Sequence, residues 1–102
     1  MRPESWREVQ DWLNRAEYDL TAAGQLLEGS VPRPATVAYL SQQAAEKALK
    51  GFLAAHDQAI PKTHDLDRLV VLCEEIEEAF VDLEHPAHIL SPYIPAARWS
   101  LR

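Results

Sequence analysis

The sequence is poor in the features that announce most kinds of chemistry. It has one cysteine, Cys73, so no internal disulfide can form. That cysteine lies in an apolar run, and nothing near it in sequence would lower its pKa. It reads as a reduced, buried thiol of a cytosolic protein. Three scattered glycines leave no glycine-rich loop to cradle a phosphate. No alternating run of β-branched residues occurs, and no Asn-Gly or Asp-Gly pair, so no strand or hairpin is expected. No stretch approaches the roughly 18 apolar residues of a membrane span. The opening MRPESWREVQDW carries charge throughout and does not read as a signal peptide. Positive charge is also short. A net charge of -6 argues against bulk, sequence-independent binding to nucleic acid, which depends on phosphate neutralisation by Lys and Arg. No Ser-His-Asp or Cys-His arrangement follows from local spacing.

What the sequence has is helical pattern. At 102 residues, 47% of them apolar, it reads as one domain, 1–102, with a modest core. The stretch Tyr39 to Lys50 organises the rest. Ser41, Ala44, Ala45, Ala48 and Leu49, continued by Phe52 and Leu53, make one apolar stripe at helical spacing. Gln43, Glu46, Lys47 and Lys50 form the opposite, polar face. This second helix is expected from about Ala35 to His56. Before it, Ser5 and Glu8 have the capping-box spacing of a first helix. Trp6, Val9, Trp12, Leu13, Ala16, Leu20, Ala23 and Leu27 line one side of that helix, and Arg7, Gln10, Asp11, Asn14, Glu17 and Asp19 the other. Gly29, Ser30, Pro32 and Pro34 end it. Thr63 is expected to open a third helix, with Leu66, Leu69, Val70, Cys73 and Ile76 inside and Glu74, Glu75, Glu77 and Glu78 toward water. Prolines at 86, 92 and 95 cut the remainder into a short helix from about Pro86 to Leu90 and a further turn from Pro92. The fold class is therefore all-α, an up-and-down antiparallel bundle of four to five helices.

Candidate chemistry gathers around the second helix. Gln43, Lys47 and Lys50 are spaced to share one side. KTHDL, Lys62 to Leu66, adds His64 and the free amides of a helix start. Cationic side chains beside such a start suit an anion. Arg98 offers a planar donor fork for phosphate. The plain alternative is a Glu46–Lys50 ion pair at i, i+4 on an ordinary surface. His85 and His88 are three apart, but Pro86 lies between them and no third ligand is nearby, so no metal site and no cofactor are assigned.

At these residues the chain resembles the HEPN domain family, in its stand-alone prokaryotic branch. WLNRAEYDLTAA (Trp12 to Ala23) is similar to the family's opening helix, and YLSQQAAEKALKGFL (Tyr39 to Leu53) to its most specific stretch. THDLDRL (Thr63 to Leu69) and YIPAARW (Tyr93 to Trp99) are similar to its later pieces. The resemblance implies a HEPN-like bundle of four or five helices, a homodimer, and a polar cleft around the second helix. It also implies a toxin–antitoxin-like pairing with a separate minimal nucleotidyltransferase. Many relatives are ribonucleases with an Arg followed four to six residues later by a His. None of Arg2, Arg7, Arg15, Arg33, Arg68 and Arg98 has a His at that distance. The expectation is thus a non-catalytic, cytoplasmic HEPN domain binding a nucleotide or phosphate through Gln43, Lys47, Lys50, His64 and Arg98. One rival is a pure interaction or dimerisation module anchored by Trp6, Trp12, Trp99, Tyr18 and Tyr39. The other is an RNase with a non-standard site at His64.

Overall fold

A computed structural model describes residues 3–92. The YIPAARW piece, Arg98 and the turn expected after Pro92 lie outside the described residues. Four α-helices occur, α1 (Pro3–Glu28), α2 (Pro34–Ala55), α3 (Leu66–Glu74) and α4 (Glu84–Leu90), with a 3-10 segment, Glu78–Leu83, between α3 and α4. Among the described residues there is no strand. None of these helices is long and apolar enough to cross a membrane.

α1 and α2 run antiparallel along one another. Three contacts fix their alignment. Ser5 Oγ donates to Asp57 Oδ1 at 2.7 Å, Gly51 lies against Trp12 and Leu13, and the Lys47 ammonium donates to the Asp19 carboxylate. Two expectations change here. Ser5 is not a cap: α1 already runs from Pro3, and Ser5 is buried within its first turn, where its hydroxyl binds the far end of α2. The inward seam of α1 is Val9, Ala16, Asp19 and Ala23, with Trp12 half-buried. Trp6, Leu13, Leu20 and Leu27 are instead exposed, at 54, 44, 61 and 73%. Among the described residues α1 packs substantially against α2 alone, which covers one narrow stripe of it.

α2 follows its expected span closely, with Pro34 in the first turn, where a missing N–H costs nothing. It is packed on more than one side. Leu49 and Leu53 join Leu66, Leu69, Val70, Cys73 and Ala87 in the core, with Phe52 and Phe80 against them. Of the expected polar face, Glu46 and Lys50 are buried and Gln43 and Lys47 half-buried, and the adjacent Gln42 is buried as well. Ala48, expected inside, is exposed. α2 ends at Ala55, and Asp57 just beyond it turns the chain with a φ of 54° in the left-handed region.

α3 opens at Asp65, not Thr63. The Asp65 carboxylate accepts from the amides of Asp67 (3.0 Å) and Arg68 (3.4 Å), and Thr63 Oγ1 accepts from the Asp65 amide (3.1 Å). Its inner face is as expected, with Leu66, Leu69, Val70 and Cys73 buried. Glu74 departs from the water-facing row: it is half-buried against Glu84. The short last helix begins two residues earlier than expected, leaving Pro86 in its first turn.

Candidate functional site

The polar cluster is built on about two and a half turns of α2, from Gln42 to Lys50. Glu46, whose side chain is 5% exposed, accepts from Lys50 Nζ at 3.0 Å through one oxygen. Through the other it binds His64 Nδ1 at 2.9 Å. A carboxylate only accepts, so Nδ1 carries the hydrogen and Nε2 is the ring atom left for a solute. The His64 side chain is 52% exposed. One turn earlier, Gln42 Nε2 donates to the His64 carbonyl at 3.0 Å, and Gln43 Nε2 donates to Gln42 Oε1 at 2.9 Å. The loop before α3 is thus held to α2 by both its backbone and its imidazole.

The two lysines are not free cations. Lys50 is 7% exposed, bound to Glu46, with its ammonium 5.6 Å from the centre of the Trp12 ring. Arg15 approaches the same indole at 5.2 Å. Lys47, on the α1 side, is neutralised by the buried Asp19. The i, i+4 pair anticipated as the plain alternative is therefore present, but buried and shared with a third group. The cluster brings together Gln43, Lys50 and His64 through Glu46 and Gln42. Lys47 sits apart, at the α1–α2 seam.

Three residues of this arrangement were not singled out from sequence: Glu46 as a hub, Gln42 and Asp19. Asp19 had a signal. It falls seven residues after Trp12, on the same seam as Val9, Ala16 and Ala23. Of the expected aromatic anchors, Trp6 and Tyr18 are exposed, Trp12 and Tyr39 half-buried, and Trp99 lies outside the described residues.

A family model described as HEPN domain matches residues 9–100. The chain belongs to the HEPN family. The match takes in α1 from Val9 onward, every later element through α4, and the whole polar cluster. Searches of curated proteins and of solved structures gave no match.

Elsewhere in this HEPN domain, titratable side chains are fixed by the fold. Burial pushes the Cys73 thiol up to about 11, and its Sγ lies 3.7 Å from the Leu49 carbonyl. A hydrogen bond with Glu84, with some burial and the neighbouring negative charge, raises Glu74 above the usual carboxylate range. Glu74 Oε1 is enclosed and finds no donor unless one carboxyl of the pair carries a proton. His88 reaches Asp67 at 3.3 Å on the surface. Among the described residues no group of three or more His, Cys, Asp or Glu is arranged to hold a metal ion.

Proposed function

We propose that this HEPN domain binds a nucleotide or another phosphate-bearing group at the edge of α2, without catalysing a reaction, in company with a separate nucleotidyltransferase of a toxin–antitoxin-like module. The observation that carries this reading is the half-exposed His64 ring, anchored at Nδ1 by a buried carboxylate. Its Nε2 is held in place before any ligand arrives, which lowers the ordering cost of binding. Gln43, half-buried beside it, supplies amide hydrogen bonds for a base or ribose. Lys50 acts through Glu46: its hydrogen bond holds that carboxylate in position under the imidazole. Lys47 contributes charge only if a phosphate competes with Asp19, so affinity rests on His64, Gln43 and the neighbouring Lys62 more than on the buried lysines. Arg98 is part of the proposed site through its family motif.

Calorimetry with a panel of nucleotides at moderate salt tests the reading. Binding is expected for at least one of them, weakened about tenfold in His64→Ala, the loss of roughly one charge-assisted hydrogen bond. No heat with any nucleotide, or a His64→Ala variant indistinguishable from wild type, counts against it.

The same anchored imidazole favours one second reading, an RNase with a non-standard site. A histidine whose Nδ1–H is held by a carboxylate is oriented for proton transfer at Nε2. Labelled RNA decides between the two. Cleavage that disappears in His64→Ala makes the domain an enzyme; its absence leaves the binding role.

A further inference from the structure

Two chains of hydrogen bonds run outward through the polar cluster, and each begins at a group that only accepts. The first begins at the Glu46 carboxylate. It takes a hydrogen from His64 Nδ1 at 2.9 Å, which leaves a lone pair on Nε2 of that tautomer. The second begins at the His64 carbonyl. It takes a hydrogen from Gln42 Nε2 at 3.0 Å, so the Gln42 amide is turned with its oxygen the other way. That oxygen takes a hydrogen from Gln43 Nε2 at 2.9 Å, which fixes the Gln43 amide in turn. Among the described residues no donor reaches Gln43 Oε1. Each chain therefore ends in an acceptor, His64 Nε2 on one and Gln43 Oε1 on the other, and Gln42 ties the two ends together. The cations that would reverse this character are used within the fold, Lys50 by Glu46 and Lys47 by Asp19.

An ionised phosphate offers acceptor oxygens and no hydrogen, so these two atoms give it nothing to bind. The hydroxyls of a ribose and the N–H groups of a base do offer hydrogens. We infer that His64 Nε2 and Gln43 Oε1 are a paired acceptor site for the nucleoside part of the ligand, each taking a hydrogen from a ribose O–H or a base N–H. This inference rests on the nucleotide-binding role proposed above and says which end of the ligand meets α2. The phosphate lies outside the pair, and the exposed Lys62, two residues before His64 in the same loop, remains for it. The half-exposed ring and the half-buried amide are both oriented before a ligand arrives. A ligand without matching donors meets two fixed acceptors that it cannot satisfy, and this is the arrangement that discriminates between a hydroxyl and its absence.

Calorimetry on the full chain tests this with the common ribonucleoside 5′-monophosphates, the matching nucleosides, their 2′,3′-dideoxy forms and inorganic phosphate. A nucleoside is expected to bind without its phosphate. His64→Ala and Gln43→Leu are each expected to weaken that nucleoside and its monophosphate by the same factor, about tenfold. Inorganic phosphate is expected to bind the wild type and both variants alike. Loss of the His64 dependence in the dideoxy form places the donors on the ribose, and its persistence places them on the base; either upholds the pair. Nitrogen NMR of the free wild-type chain at mildly alkaline pH is a second measurement that needs no ligand. It is expected to show His64 with its hydrogen on Nδ1 and a bare Nε2. A hydrogen on Nε2 instead, or an equal His64→Ala effect on inorganic phosphate, overturns the inference and leaves phosphate binding standing. No binding by any of the probes removes both the inference and the role beneath it.

Discussion

Glu46 serves two donors at once, and its neighbours differ sharply in what their loss leaves behind. Glu46→Ala strands the Lys50 ammonium in a site with 7% exposure. Urea denaturation should show a loss of about 3–5 kcal/mol, the range for breaking a buried pair on one side. His64→Ala removes a half-exposed ring and leaves Lys50 paired, so its cost should stay under about 1 kcal/mol. Glu74 responds to pH in the opposite sense from a salt-bridged carboxylate. Its folded-state pKa is raised, so the native state holds the proton more tightly than the unfolded chain. Stability from this group is full below the ordinary carboxylate value of 4.5 and declines as pH rises through the higher folded value. A Glu74→Gln variant should flatten that part of the stability profile. Cys73, with its thiol pushed up to about 11, should react with a disulfide reagent only after unfolding. At this scale the sequence was half legible. The Glu46–Lys50 pair follows from a spacing of four. The tie from Glu46 to His64 crosses a loop and 18 residues of chain, and no local pattern encodes it.

Helices were legible where the chain supplies its own punctuation. Pro34 before α2 and Asp57 after it bracket a segment of strong helix formers, and the expected and observed spans agree within a residue. The start of α3 was misplaced because Thr63, Asp65 and Asp67 are all capable caps. The structure uses Asp65, with Thr63 bonding the Asp65 amide instead. Asp65→Ala should therefore cost about 1 kcal/mol, more than Thr63→Ala. The inward face of α1 was misread for a different reason. Two apolar lines run along it, and hydrophobicity alone does not say which one meets α2. The closeness of α1 and α2 decides: a Cβ at Gly51 would sit 3.2 Å from Trp12 Cβ. Gly51→Leu should separate the helices there and cost about 1–3 kcal/mol by thermal or chemical melting.

Across the described residues the principal extents are 44 × 27 × 25 Å, a rod set by the α1–α2 hairpin. The buried apolar cluster draws on Leu49 and Leu53 of α2 together with α3 and α4, while the turn at Gly29–Arg33 is exposed. Amide hydrogen exchange should be slowest in Leu49–Leu53 and Leu66–Cys73 and fastest around that turn. The all-helical architecture and the family were both readable from sequence, because helix pattern and the QQAAEKALK and THDL segments are local in the chain. The burial of the polar side of α2 was not, since it depends on α3 and the preceding loop folding back over it.

The pairing of Asp19 with Lys47 has a consequence for how the hairpin assembles. Sliding α1 along α2 by one turn would leave a carboxylate and an ammonium facing carbon with no counter-ion, so other alignments are penalised. A chain severed between Gly29 and Arg33 should accordingly behave as two matched pieces. Mixed together, they should recombine in a single phase and in one alignment, and an Asp19→Ala piece should recombine more weakly and less uniquely.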